Sequence, residues 1–133
     1  NLMGGFMILN AEDERTQGGL RDGNQVFGTP HFNATLALDW ETKAKGLNVY
    51  GRLHHFGSSY ADGLNRIEVP AWTRVDLGTQ YKTTVLGYPT TLNFMVYNVF
   101  NKMYWSTTTV RWSEGGLMLN PGRTYMLSAT ISF

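Results

Sequence analysis

No cysteine occurs in the 133 residues. Its absence removes disulfide scaffolds, thiolate zinc sites and cysteine nucleophiles together, and it suits an oxidising envelope without requiring one. Charge is also scarce: 16% of residues are charged, against roughly 25% in soluble domains. The net charge of +1 supplies no field for nucleic acid, and Lys and Arg are scattered rather than clustered, which argues against such a partner. No apolar run approaches the roughly 18 residues of a membrane helix; the longest, Leu2 to Leu9, is broken by Gly4 and Gly5. A helical span is excluded. No G-x-S-x-G elbow, H-E-x-x-H pair, P-loop or G-x-G-x-x-G is present, and the nearest acidic pair, Asp13 and Glu14, lies in a polar stretch. Catalytic residues are therefore not expected, and the chain does not read as an enzyme. No signal peptide opens it, so an exported protein read this way is a mature chain or a fragment.

What is present is aromatic and alternating. Aromatic residues make up 14% of the chain, and the mean hydropathy of −0.25 is the near-neutral average expected where lipid-facing and lumen-facing residues alternate. Thr124 to Phe133 places Tyr125, Leu127, Ala129, Ile131 and Phe133 on one parity and Thr124, Met126, Ser128, Thr130 and Ser132 on the other, the period of two that a β-strand requires. Phe32 to Trp40 repeats the pattern, with Phe32, Ala34, Leu36, Leu38 and Trp40 on its apolar face. Gly46 to Phe56 sets Leu47, Val49, Gly51 and Leu53 against Asn48, Tyr50, Arg52 and His54. Trp72 to Tyr81 sets Val75, Leu77, Thr79 and Tyr81 against Arg74, Asp76, Gly78 and Gln80. Thr91 to Phe100 and, less regularly, Leu2 to Ala11 complete six strand candidates. Alternation alone fits a soluble sheet with one buried face as well as a barrel wall in lipid. Charged Arg74 and Asp76 on a half-buried face need water or partners, which a filled lumen supplies.

The connections discriminate further. Between these strands they run to about 19, 5, 15, 9 and 23 residues, whereas hairpin loops in compact domains run to about 2–5. Long and short alternate, so an up-and-down meander gathers Glu12 to Pro30, Gly57 to Ala71 and Asn101 to Arg123 on one side. The remaining turns, Glu41 to Lys45 and Lys82 to Thr90, fall on the other. Outer-membrane barrels have this asymmetry, with short periplasmic turns and long extracellular loops.

Five stretches then carry a family likeness: G-T-P-H-F-N-A-T-L (Gly28 to Leu36), G-S-S-Y-A-D (Gly57 to Asp62), V-P-A-W-T-R-V-D-L-G (Val69 to Gly78), N-V-F-N-K-M-Y (Asn98 to Tyr104) and G-R-T-Y-M-L-S-A-T-I-S-F (Gly122 to Phe133). In order and spacing they resemble the C-terminal barrel of TonB-dependent outer-membrane receptors, particularly the ferric-siderophore branch. The resemblance implies an all-β fold of about six antiparallel strands, the last part of a 22-stranded transmembrane barrel. Residues 1–133 would all belong to that barrel, and the plug domain would lie outside them. It implies TonB-dependent uptake of an Fe(III)-siderophore as cargo, with no resident cofactor, in the outer membrane of a Gram-negative bacterium. The TonB-ExbB-ExbD complex would act through the missing N-terminal part, and the outer-membrane assembly machinery would read Tyr125, Leu127, Ala129, Ile131 and Phe133. A passive porin-like barrel and a soluble all-β binding module are the competing readings.

Site candidates follow from face and loop. Arg52, His54, Arg74 and Asp76 lie on the polar parity and are expected to face the lumen or plug. Tyr60, Tyr104, Trp105 and Trp112 lie in the long connections, where aromatic faces can stack on a ligand or pack within the loops. Adjacent His54 and His55 point to opposite faces and cannot share a metal, and His31 is remote, so no metal site is expected.

Overall fold

Side chains of alternating polarity favour extended backbone, and the backbone ladder joins these stretches in sequence order. The computed structural model describes residues 1–111 and 114–133. Its strands are β1 (Leu2–Ile8), β2 (Phe32–Glu41), β3 (Leu47–Phe56), β4 (Ser59–Tyr60), β5 (Glu68–Val69), β6 (Trp72–Val85), β7 (Tyr88–Tyr97), β8 (Trp105–Arg111), β9 (Glu114–Leu119) and β10 (Thr124–Ile131). Six of them form one antiparallel sheet in the order β1-β2-β3-β6-β7-β10, the expected meander. Connections 9–31, 57–71 and 98–123 therefore leave one end of the sheet, and 42–46 and 86–87 leave the other.

Register places like with like. Leu36, Leu53 and Val75 lie abreast on one face, as do Thr79, Phe94 and Leu127, and Tyr81, Leu92 and Ala129. On the other face Arg52 is opposite Asp76, His54 is opposite Arg74, and Gln80 donates from Nε2 to Asn93 Oδ1 at 3.1 Å. Gly78 leaves room there for the Met95 sulfur and the Tyr50 ring, both of which a Cβ would force to shift. Among the described residues no large side chain is fully buried, and Phe6, Ile8, Trp40 and Leu127 remain open on the apolar face. A sheet stable in water covers such a surface, so a soluble module would need further chain to lie over this face.

Three expectations are corrected. The stretch 82–90 is not a long turn: β6 runs to Val85 and β7 begins at Tyr88, with Leu86 and Gly87 at φ of 51° and 86°, the positive pair of a two-residue type I′ hairpin. Pro89 sits opposite Thr84 near the start of β7, where proline is tolerated, and its carbonyl accepts from Ser132 N–H at 3.0 Å. The connections 57–71 and 101–123 are not wholly loop, since they carry the β4–β5 and β8–β9 hairpins. The first strand stops at Ile8 rather than Ala11, after which the chain folds back through paired Glu12 and Gln25.

Candidate functional site

The polar face of β3 and β6 holds a charged network. Asp76 is 3% exposed. Its Oδ2 accepts from Arg74 Nη2 at 2.9 Å and Nε at 3.1 Å, and its Oδ1 accepts from the Asn98 backbone N–H at 2.9 Å. A carboxylate out of water needs this many donors to offset its lost hydration. Arg74 uses its remaining arm on Tyr104, donating from Nη1 to the phenol oxygen at 3.3 Å. His54 Nε2 stands 4.0 Å from Asp76 Oδ2, and its Nδ1 lies 3.4 Å from Thr35 Oγ1. Arg52 lines a concavity of about 760 Å³ with Asp39, Glu41, Asn48, Tyr50 and Gln80.

The four residues expected on this face are thus on it, but in two roles. Arg74 and Asp76 are taken up by one another, the Tyr104 hydroxyl and the Asn98 N–H, whereas Arg52 is left toward the concavity and His54 stands between Asp76 and Thr35. His55 Nδ1 instead meets Thr73 Oγ1 at 2.8 Å, and His31 Nδ1 meets the Leu9 carbonyl at 3.2 Å. Among the described residues no three metal-binding side chains converge.

At the long-connection end the loops form a joined layer. Gln25 N–H donates to Asn65 Oδ1 at 2.7 Å, while Asn65 Nδ2 returns a bond to the Gln25 carbonyl at 2.8 Å. Asn24 Nδ2 reaches the Gly63 carbonyl at 3.0 Å, and Gly28 N–H reaches that of Tyr60 at 2.7 Å. Asp62 organises the second loop, with Oδ1 accepting from the N–H groups of Arg66 and Ile67 at 2.8 and 2.9 Å and Oδ2 from Arg66 Nε at 3.2 Å.

Burial pushes the Asp62 carboxyl up, but the Ile67 and Arg66 hydrogen bonds and the Arg66 charge outweigh it and hold it below the usual carboxylate value. A carboxyl lowered by folding stabilises the folded loop above its unfolded pKa, and that contribution is lost as pH falls through the folded one. Protection of the Arg66 and Ile67 amides, corrected for intrinsic exchange, is expected to hold from pH 7 to 5. It should fall below about pH 4, under the ordinary carboxylate value; equal protection at pH 7 and 3 would refute this role.

The loop aromatics separate as clearly. Tyr104 is only 7% exposed and stacks on Trp72 with centroids 4.2 Å apart, and Trp72 stacks on Phe56 at 5.5 Å. Tyr104 is thus a wall rather than an open platform. Trp105 is 47% exposed, and it borders a cleft of about 210 Å³ with Phe56, Val69, Pro70, Trp72 and Thr107. Tyr60 is half-buried in β4, and Trp112 lies outside the described residues. Trp72 and Asn98 were missed as site residues, although Trp72 shares the parity of Arg74 and so was legible as an inward aromatic.

Tyr125, Leu127, Ala129 and Ile131 share the apolar face of β10, with Tyr125 stacked on Phe94 at 6.4 Å. Phe133 meets the edge of Tyr88 at 6.2 Å.

An open antiparallel sheet with one uncovered apolar face, one polar face enclosing buried charge, and all long connections at one end is an arc of a β-barrel wall. The chain belongs to the TonB-dependent receptor-like β-barrel family, whose model matches residues 2–99. It is similar to the ferrichrome receptor FcuA of Yersinia enterocolitica, at 26% identity over 115 residues, covering 84% of this chain and 15% of that receptor. BauA, the ferric preacinetobactin receptor from Acinetobacter baumannii, superposes with a TM-score of 0.89 at 34% identity, over 99% of this chain and 19% of that one. The unliganded ferric citrate transporter FecA shares the fold, with a TM-score of 0.80 at 20% identity over 98% of this chain and 21% of FecA. The chain thus spans about a fifth or less of the length of these relatives.

Proposed function

We propose that residues 1–133 form the C-terminal arc of an outer-membrane receptor for an Fe(III)-siderophore, with uptake driven by the TonB-ExbB-ExbD complex through a part of the protein outside these residues. The observation that carries this reading is the fit to BauA over 99% of the chain at 34% identity. The joined loop layer and its aromatic cleft support it. Trp105, with Trp72 behind it, offers stacking surface to a chelate. At about 210 Å³ the cleft is smaller than the roughly 300–1,000 Å³ of a whole-ligand pocket, so it takes one portion of the cargo. Arg52 and His54 face the space a plug would fill. The apolar face meets lipid, and the long connections stand outside a Gram-negative outer membrane.

Deleting the encoding gene is expected to abolish uptake of at least one radiolabelled ferric chelate under iron limitation, with recovery on complementation. Unchanged uptake of every chelate tested, together with steady ion conductance by the purified protein, would instead establish a passive barrel.

A further inference from the structure

The connection 98–123 leaves the wall after Tyr97 and returns at Thr124. Its two legs are tied to each other and to β6 by side chains that are otherwise unexplained. Asn98 is 2% exposed and has a φ of 53°, a backbone state that asparagine adopts more readily than most residues. Its N–H donates to Asp76. Its Nδ2 donates to the Lys102 carbonyl at 2.8 Å and the Pro121 carbonyl at 3.4 Å, and its Oδ1 accepts from Lys102 N–H at 2.9 Å.

Asn101, at φ 52°, accepts from Arg123 N–H at 2.9 Å, and Asn120 N–H donates to the Tyr104 carbonyl at 3.0 Å. The departing and returning legs are therefore stitched together at their base. Arg74 then ties the Tyr104 hydroxyl to Asp76, one residue before β8 begins at Trp105.

We infer that Asp76, Arg74, Asn98 and Tyr104 form a clamp that sets the pose of the β8–β9 hairpin, making them positioning residues for chelate capture rather than contacts for cargo or plug. Asp76 suits this and little else, because its Oδ2 is taken by Arg74 of the wall and its Oδ1 by the Asn98 N–H of the connection, and its side chain is shut from water. The clamp joins a strand of the rigid sheet to the hairpin bearing Trp105, so its chemistry reaches the cleft through geometry. The hairpin also abuts the first connection, where a Cβ on Gly28 would lie 3.2 Å from Thr107 Oγ1. The hairpin's pose thus completes the joined outer layer. The consequence for capture rests on the proposed function, whereas the clamp itself does not.

The test uses the full-length receptor in detergent or nanodiscs, with a nitroxide on Met118→Cys in β9 and, as a wall control, on Ser128→Cys in β10. Tyr104→Phe removes one hydroxyl and keeps the ring stack; Asn98→Ala removes the amide that joins the legs. Both are expected to raise label mobility at 118 but not at 128, and to weaken binding of the cognate probe, ferric preacinetobactin or ferrichrome, Asn98→Ala by about tenfold and Tyr104→Phe by less. Asn98→Asp, which keeps the acceptor for Lys102 N–H but sets a carboxylate oxygen against the Lys102 and Pro121 carbonyls, should not restore the order. Unchanged mobility at 118 in an assembled Tyr104→Phe receptor would overturn the clamp. Increased mobility with unchanged affinity would overturn its role in capture. If the unsubstituted receptor binds neither probe and no other ferric chelate, the functional reading fails, while the label comparison still decides the clamp.

Discussion

Produced alone and targeted to a membrane, residues 1–133 are expected to yield no stable inserted monomer. Among the described residues β1 and β10 each have a strand on one side only. Alternate residues of an antiparallel strand direct both N–H and C=O to the same side, so an eight-residue edge presents roughly eight unpaired backbone groups. In hydrocarbon each costs several kcal/mol, and two such edges together exceed the roughly 5–15 kcal/mol of a typical folding free energy several times over. Burial cannot make up the difference, because no large side chain among the described residues is fully enclosed.

Two arrangements satisfy the edges: the remaining strands of a larger barrel, or other copies of this chain joined β1 to β10, which run in opposite directions and can pair. Refolding into detergent or vesicles followed by unheated gel electrophoresis and protease challenge distinguishes these states. Aggregates, or closed oligomers at multiples of the chain mass, are expected. A compact protease-resistant monomer of six strands would overturn the edge argument.

The strands were legible because period two is a local property: Phe32 to Trp40 and Thr124 to Phe133 declare their faces residue by residue. Charge at Arg74 and Asp76 on such a face announced a polar interior, and the alternation of long and short connections ordered the ends. The losses came where distant residues decide. The β8–β9 hairpin lies in a stretch that lacks clean alternation, and its base is held by Asn98 and Asp76 from outside it. Tyr104 read as an available aromatic, yet its burial depends on Arg74 and Trp72, some thirty residues earlier. The two-residue turn at Leu86 and Gly87 was hidden within the stretch Lys82 to Thr90, because it puts a leucine at positive φ and keeps Pro89 in the strand. Face was readable from the chain; which groups on that face remain available to a partner was not.

Removing Phe133 is expected to collapse the amount of receptor in the outer membrane while leaving the folded barrel nearly as stable as before. The side chain is fully exposed, and it meets the Tyr88 ring in edge geometry at 6.2 Å. Such a pair contributes about 0.5–1.5 kcal/mol, too little for its loss to unfold a barrel whose β10 is paired along Thr124 to Ile131. A large loss of assembled protein would then arise before folding is complete, as expected if the assembly machinery reads the apolar face of Tyr125, Leu127, Ala129, Ile131 and Phe133. The comparison that separates recognition from stability is Phe133→Ala against Phe133→Tyr in the full-length receptor. Both should refold in detergent with midpoints close to the parent, but only the tyrosine form should restore outer-membrane levels. Ser132→Ala, on the opposite parity, should leave those levels unchanged. Parental outer-membrane levels of Phe133→Ala would remove Phe133 from the signal, and an equal loss of refolding stability and assembly would assign it to packing instead.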